Sequence, residues 1–239
     1  MEILTYGKKD NPCIVFLHGW GGGFSSFSFF AKALSDKFFT IVVDFNSTLF
    51  KDEIISLDDV ADELADKLDL LNVNDITIIG HSFGGRVAAV YYGKNTKKVK
   101  KIVLIDSAGL RPRRSLWYYI KVKWFKFNVS LAKLGIISKT RLKEFGSPDY
   151  KKLTLNERQT FKNIVNRDLA SQFAKIKCPT LIYWGTLDRE TPLYMAKKLN
   201  KLITNSAVVK INGAGHFSYA ERPGQFISVI RAFMEKDDD

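Results

Sequence analysis

Cysteine and histidine are scarce in this chain of 239 residues, which holds two of the first and three of the second. Two cysteines cannot build the disulfide scaffold of a small secreted domain or a cysteine-rich metal site. Each instead begins an apolar run, Cys13 in CIVFL and Cys178 in CPTLIYW, and both read as reduced, buried packing residues. No apolar run reaches the length that spans a bilayer, and the opening MEILTYGKKDNP lacks the apolar core and cleavage site of a signal peptide. A cytoplasmic protein is expected. Internal repeats are missing too, so a repeat array is not expected.

What the chain has is the make-up of a globular protein, with 46% hydrophobic and 26% charged residues. Its length suits one α/β domain with an insertion. The formal net charge is +12, and its distribution is uneven. From Ala108 to Lys152 there are 12 Lys and Arg against two acids, Glu144 and Asp149, so this segment alone carries 12 − 2 = +10. An excess of this sign raises nucleic acid as a partner, but no recognised nucleic-acid module accompanies it, and none is expected to bind.

Apolar runs alternate with helical periodicity along most of the sequence. Strands are expected at Ile3–Tyr6, Cys13–Leu17, Thr40–Phe45, around Ile76–Ile79 and at Val99–Ile105. Ser25 or Ser26 is placed to cap a helix running to about Lys37, and Ser56 to cap one with Val60, Leu64, Leu68 and Leu71 on one face. The alternation breaks at Leu110. Through about Ile176 the sequence reads as helices only, after which strands at Thr180–Trp184 and Ala207–Ile211 alternate with helices over about 192–203 and 223–235. Such alternation predicts a mostly parallel sheet flanked by helices, with residues 1–109 and 177–239 as the core and 110–176 as an all-helical insertion.

The stretch that carries chemistry is DITIIGHSFGGRVAAVYY, residues 75–92. A strand must turn into a helix within Gly80-His81-Ser82-Phe83-Gly84, which strains the central residue and requires small neighbours. Ser82 is thereby raised at the strand's carboxyl end, at the positive end of the helix.

A serine hydroxyl needs a base. His18 lies in the glycine loop HGWGGG, and the tight turn should point His81 away from Ser82. His216, in NGAGHF after the last strand, opens on the same edge as Ser82 and is the base by elimination and position. The carboxylate that orients it is expected to be Asp188, after the preceding strand, with Asp44, Asp106 and Glu221 as rivals. Arg189 and Glu190 read as solvated surface. The backbone N–H groups of Phe83 and Trp20 are placed to serve as an oxyanion hole.

HGWGGG, GHSFGG, an Asp after the next-to-last strand and GAGH after the last, in the order Ser, Asp, His, resemble the α/β-hydrolase family over essentially the whole chain. The resemblance implies a Ser82-Asp188-His216 triad, an oxyanion hole at Trp20 and Phe83, and a cap or lid at residues 110–176. A serine at position 82 argues against that family's dehalogenases and epoxide hydrolases, which look for aspartate there. Two departures stand out: Asp44-Phe45-Asn46 replaces a Pro-Gly turn, and the short N-terminus leaves room for fewer opening strands.

The insertion opens with Arg111, Arg113 and Arg114, followed by Trp117, Tyr118, Tyr119, Trp124, Phe125 and Phe127 among lysines. A lid helix with aromatics over the pocket and lysines in water fits this pattern, with Trp117, Tyr118, Arg111, Arg113 and Arg114 as pocket or cap contacts. The same face suits an anionic membrane surface or an acidic carrier. The activity expected is hydrolysis of a small or medium ester through an acyl-enzyme, without metal or organic cofactor. The motifs also look like esterases that act on methyl esters held by acyl-carrier proteins. A C–C hydrolase or lyase of the same fold, or a receptor-like binding protein, would share the scaffold.

Overall fold

A computed structural model describes residues 1–51, 53–113 and 153–235, and between the last two spans Ile120, Lys123, Trp124, residues 127–130 and Ala132. Its centre is a seven-stranded sheet made of β1 (Glu2–Tyr6), β2 (Cys13–Leu17), β3 (Phe39–Asp44), β4 (Ile76–His81), β5 (Val99–Ile105), β6 (Thr180–Gly185) and β7 (Ser206–Ile211). Their spatial order is β1-β3-β2-β4-β5-β6-β7. Only the edge strand β1 runs antiparallel, Ile3 facing Val43 on β3. It is the one strand before Cys13 among the described residues.

Both faces of the sheet are covered, which is why its central strands are continuous apolar runs. Along β2, Val15 and Leu17 join the core under α2 (Leu57–Leu70), α3 (Phe83–Lys94) and α5 (Tyr194–Leu202). Ile14 and Phe16 point the other way, toward α1 (Ser28–Leu34) and α6 (Pro223–Glu235). Between β5 and β6 lie α4 (Leu155–Asn166) and a helical turn at Ala170–Phe173; Ile164, Phe173 and Leu169 just before the turn are buried in the first of these cores.

Local chemistry sets the helix ends. Ser56 Oγ accepts the Asp59 N–H while Asp59 Oδ2 accepts the Ser56 N–H, a reciprocal cap at the start of α2. The helix expected from Ser25 or Ser26 to Lys37 is broken. A single 3₁₀ turn at Phe24–Ser26 precedes α1, and Phe27 between them leaves helical geometry at φ −130°. Burial explains the break, because the Phe27 ring packs 5.1 Å from Phe16 and 4.8 Å from Tyr219. Asn46–Leu49, which begins in the segment that replaces a Pro-Gly turn, forms a helical turn. Of the two thiols, Cys13 is buried and pushed up to about 12 by that burial, whereas Cys178 is only half-buried.

Winding reverses at β2, with β3 on one side and β4 on the other. A crevice therefore opens at the carboxyl ends of β2 and β4, where an open α/β sheet gathers its ligands. The glycine loop after β2 and Ser82 after β4 meet there.

Candidate active site

Ser82 joins β4 to α3 with φ 48° and ψ −105°, a conformation that a non-glycine residue holds only when its surroundings enforce it. The enforcement is steric and hydrogen-bonded. A Cβ on Gly80 would lie 2.6 Å from the Gly84 carbonyl oxygen, and one on Gly84 would lie 2.0 Å from that of Leu17. The Ser82 N–H donates to the Ile105 carbonyl at 3.0 Å, and its own carbonyl accepts from Gly85 and Ala108. Strand, turn and helix are locked together so that the hydroxyl stands clear.

Three side chains from three strand ends converge there. His216 Nε2 lies 3.0 Å from Ser82 Oγ, and His216 Nδ1 lies 2.8 Å from Asp188 Oδ2. Asp188 is buried, and its Oδ1 accepts the N–H groups of Glu190 at 2.8 Å and Thr191 at 2.9 Å. The Thr191 hydroxyl sits 2.6 Å from Asp188 Oδ2 and 2.9 Å from the Asp106 carbonyl, with one proton for two acceptors. Burial raises the Asp188 pKa, but hydrogen bonds from His216 and Thr191 outweigh it and hold the group below the usual carboxylate range. For His216 burial acts downward, and the hydrogen bond and charge of Asp188, with Glu190 and Asp106 behind them, carry it above the ordinary imidazole value.

Hydrogen-bond partners fix the tautomer of each histidine. An acceptor at Nδ1 places the His216 proton there, leaving the Nε2 lone pair facing Ser82. His81 turns inward as expected and donates from Nε2 to the His216 carbonyl at 2.8 Å. Desolvation pushes it down to about 3, so it stays neutral 5.0 Å from the His216 ring. His18 accepts the Phe45 N–H at Nε2 and so donates from Nδ1 to the Gly19 carbonyl, 2.7 Å away. It too is kept neutral chiefly by burial. Two of the three histidines brace the site and one faces the hydroxyl.

The segment Asp44-Phe45-Asn46 closes the neighbouring loop. Phe45 holds His18, and the Asn46 side chain donates to the Gly22 carbonyl at 2.9 Å. The glycine loop is thereby pinned beside Ser82, where no backbone acceptor takes the Trp20 or Phe83 N–H among the described residues. The Trp20 ring meets Phe83, Phe50 and Phe161 edge-on at 5.7, 5.9 and 5.0 Å, linking the core to α4.

Two cavities flank Ser82. One, of roughly 280 Å³, is lined by Leu110, Phe161, Ile164, Met195 and Arg86. The other, of roughly 320 Å³, is lined by Gly21, Gly22, Ser26, His216 and Tyr219. Trp20, Phe161 and Glu190 border both. Neither Arg111 nor Arg113 is brought to them. Arg111 lies 3.8 Å from Asp168, and the Arg113 guanidinium stacks 5.0 Å from the Tyr194 ring centre. Arg114, Trp117 and Tyr118 lie outside the described residues.

Several residues that sequence reasoning missed stand at the site. Thr191 had only an indirect signal: an aspartate after a strand favours an Asx-turn, its side chain accepting the N–H two residues on, which brings the third residue back against the carboxylate. Glu190, read as surface, is 70% exposed yet places Oε2 3.3 Å from His216 Nε2. Arg86, buried on α3, donates to the carbonyls of Ile164, Val165 and Arg167 at the end of α4. Nothing in the sequence marks that contact. Among the described residues no helix is long and apolar enough to cross a membrane, and no cluster of His, Cys, Asp and Glu could hold a metal ion.

Comparison with known proteins agrees with this architecture. The model of the α/β hydrolase fold family matches residues 12–133 and 126–223. The chain is 22% identical over 274 residues to epoxide hydrolase 1 of Caenorhabditis elegans, covering 99% of this chain and 68% of that protein. It is 21% identical over 253 residues to the pimeloyl-[acyl-carrier protein] methyl ester esterase of Chromobacterium violaceum, covering 98% and 99%. Among solved structures, an α/β hydrolase enzyme from the sediment metagenome of the Mar Chica lagoon in Morocco superposes with a TM-score of 0.74 at 21% identity, covering 98% of this chain and 94% of that one.

Proposed function

Because the chain belongs to the α/β-hydrolase fold family, we propose that it is a serine hydrolase that cleaves a small or medium carboxylic ester through an acyl-enzyme. The observation that carries this reading is the continuous chain of contacts from Ser82 Oγ through the His216 ring to Asp188 Oδ2, at 3.0 and 2.8 Å. Ser82 Oγ attacks the ester carbonyl as its proton passes to His216 Nε2, and Asp188 stabilises the imidazolium that forms. The oxygen that gains negative charge is received by the N–H groups of Phe83 and Trp20. His216 then protonates the departing alcohol. Water repeats the sequence on the acyl-enzyme, releasing the acid and restoring Ser82.

The leaving alcohol takes its proton from His216, so it belongs in the cavity that His216 lines. The acyl group is then assigned to the more apolar cavity under Leu110, Phe161, Ile164 and Met195. We take residues 110–176 as a cap over this acyl cavity, supported by the placement of Phe161 and Ile164 on α4. Serine at position 82 argues against carrying over the activity in the epoxide hydrolase's name. Purified protein and Ser82→Ala are to be compared on a short p-nitrophenyl ester, with mass spectrometry locating a fluorophosphonate adduct. A labelled Ser82, and a loss of about six orders of magnitude in kcat on substitution, are expected. Equal rates for both proteins would overturn the reading.

A second reading is favoured by the +10 segment from Ala108 to Lys152 together with the similarity to a carrier-protein methyl ester esterase. In that reading the ester arrives on an acidic carrier that the basic segment attracts. Reversing the charge at Arg111, Arg113 and Arg114 would then lower kcat/KM for a carrier-bound methyl ester at low salt while sparing a free ester. Equal effects on both would reject it.

A further inference from the structure

The relay just proposed leaves one fully buried carboxylate unused. Asp106 follows β5 directly, between the strand ends that carry Ser82 and Asp188, with φ 43° and no exposed surface. Its Oδ1 accepts the Gly185 N–H at 2.8 Å, and its Oδ2 accepts the N–H of Ser218 at 3.1 Å and the Ser218 hydroxyl at 2.5 Å. Gly185 is three residues before Asp188, and Ser218 is two residues after His216. We propose that Asp106 is a positioning residue whose carboxylate ties the loop carrying Asp188 to the loop carrying His216. This rests on the reading of Ser82, His216 and Asp188 as the relay.

The chemistry of the group explains why a carboxylate stands there. Three donors converge on it, two N–H and one O–H, and an ionised carboxylate offers acceptors only. Burial pushes Asp106 up to about 7, against the pull of the bonds from Ser218 and Gly185, so the ionised form that these three donors favour prevails above neutral pH. An amide of the same shape would turn N–H groups toward donors on one side. The loops are also in backbone contact here, since a Cβ on Gly185 would lie 2.2 Å from the Gly215 carbonyl oxygen. His81 grips the same loop from the neighbouring strand through the His216 carbonyl, so Asp106 and His81 hold the imidazole from two sides. The main chain of Asp106 adds a third hold, with its N–H on the Tyr183 carbonyl and its carbonyl 2.9 Å from Thr191 Oγ1. Asp106 itself touches no reacting atom.

The test uses Asp106→Asn and the milder Ser218→Ala, which removes one bond and introduces no buried polar group. In folded Asp106→Asn, kcat on a p-nitrophenyl ester is expected to fall about a hundredfold, the scale of an ångström's misplacement, with KM within twofold. Ser218→Ala is expected to lose several-fold in kcat in the same pattern. The low-field proton resonance of His216 Nδ1–H should shift in both, a signature that loss of global stability alone would not give. Should Asp106→Asn fail to fold, Ser218→Ala carries the test. A folded variant with kcat within twofold of wild type and an unmoved resonance would overturn the proposal. Because the resonance is read without turnover, a wild-type Ser82 that refuses the fluorophosphonate would count against the proposed function and leave the resonance to decide the role of Asp106.

Discussion

Glu190 offers the most direct check on the electrostatics of the site. Its carboxylate lies 3.3 Å from His216 Nε2, the nitrogen that in the proposed mechanism must be unprotonated to receive the Ser82 proton. A negative charge there favours the imidazolium, so it raises the pKa of His216 and moves the acid limb of activity to higher pH. Glu190→Gln should move that limb the other way, making the enzyme more active at low pH. The size follows from exposure. Although the His216 side chain is only 8% exposed, that of Glu190 is 70% exposed, and ion pairs with an exposed partner contribute about 0.2–1 kcal/mol. At 1.36 kcal/mol per pH unit this amounts to a shift of roughly 0.15–0.7 unit. The measurement is kcat/KM for a p-nitrophenyl ester from pH 5 to 9, which reports the free enzyme's histidine. The wild-type midpoint should lie above the ordinary imidazole value, because burial is outweighed by Asp188. The difference between the two proteins should shrink in high salt. An acid limb that stays put or moves upward in Glu190→Gln would refute the reasoning.

Two substitutions probe the scaffold. Gly84→Ala puts a Cβ 2.0 Å from the Leu17 carbonyl oxygen, a backbone atom in a central strand, so a loss upward of about 3 kcal/mol is expected in denaturant titration. Arg86→Met removes the donors to three carbonyls that end α4, with an expected cost of about 2–4 kcal/mol. Calorimetry should show Tm lowered by roughly 4–16 °C, and amide exchange should accelerate across Leu155–Asn166.

The fold was legible because its signals are local. A parallel strand covered on both faces is a continuous apolar run, and CIVFL or TLIYWG could hardly be anything else in so regular an alternation. Ser56 and Asp59 announced the start of α2 three residues apart. The helix through Phe27 was misread because a buried ring contact, invisible in the helical period, overrode local propensity. Ser82, Asp188 and His216 were picked out as candidates because each follows a strand, and parallel strands deliver their following loops to one edge. Asp106 follows a strand too, and so entered as a rival for the same role. What separates it from Asp188 is which donors lie within 3 Å, and that depends on loop paths rather than order along the chain. Arg86 and Glu190 were missed for the same reason, since their partners lie at the far ends of other loops.

The strain at this edge is paired. Ser82 and Asp106 end neighbouring strands, and both are non-glycine residues with positive φ, at 48° and 43°. Such conformations cost on the order of 1–3 kcal/mol each, so two side by side must be held by their surroundings. They hold each other in part: the Ser82 N–H bonds the Ile105 carbonyl, next to Asp106, and the Ser82 carbonyl takes the N–H of Ala108 just beyond it. One strained turn aims a hydroxyl outward, and the other aims a carboxylate inward at the loops that carry Asp188 and His216. The register His81 to Ile105 between β4 and β5 joins the two turns, so the geometry of the proposed relay is set where these strands end.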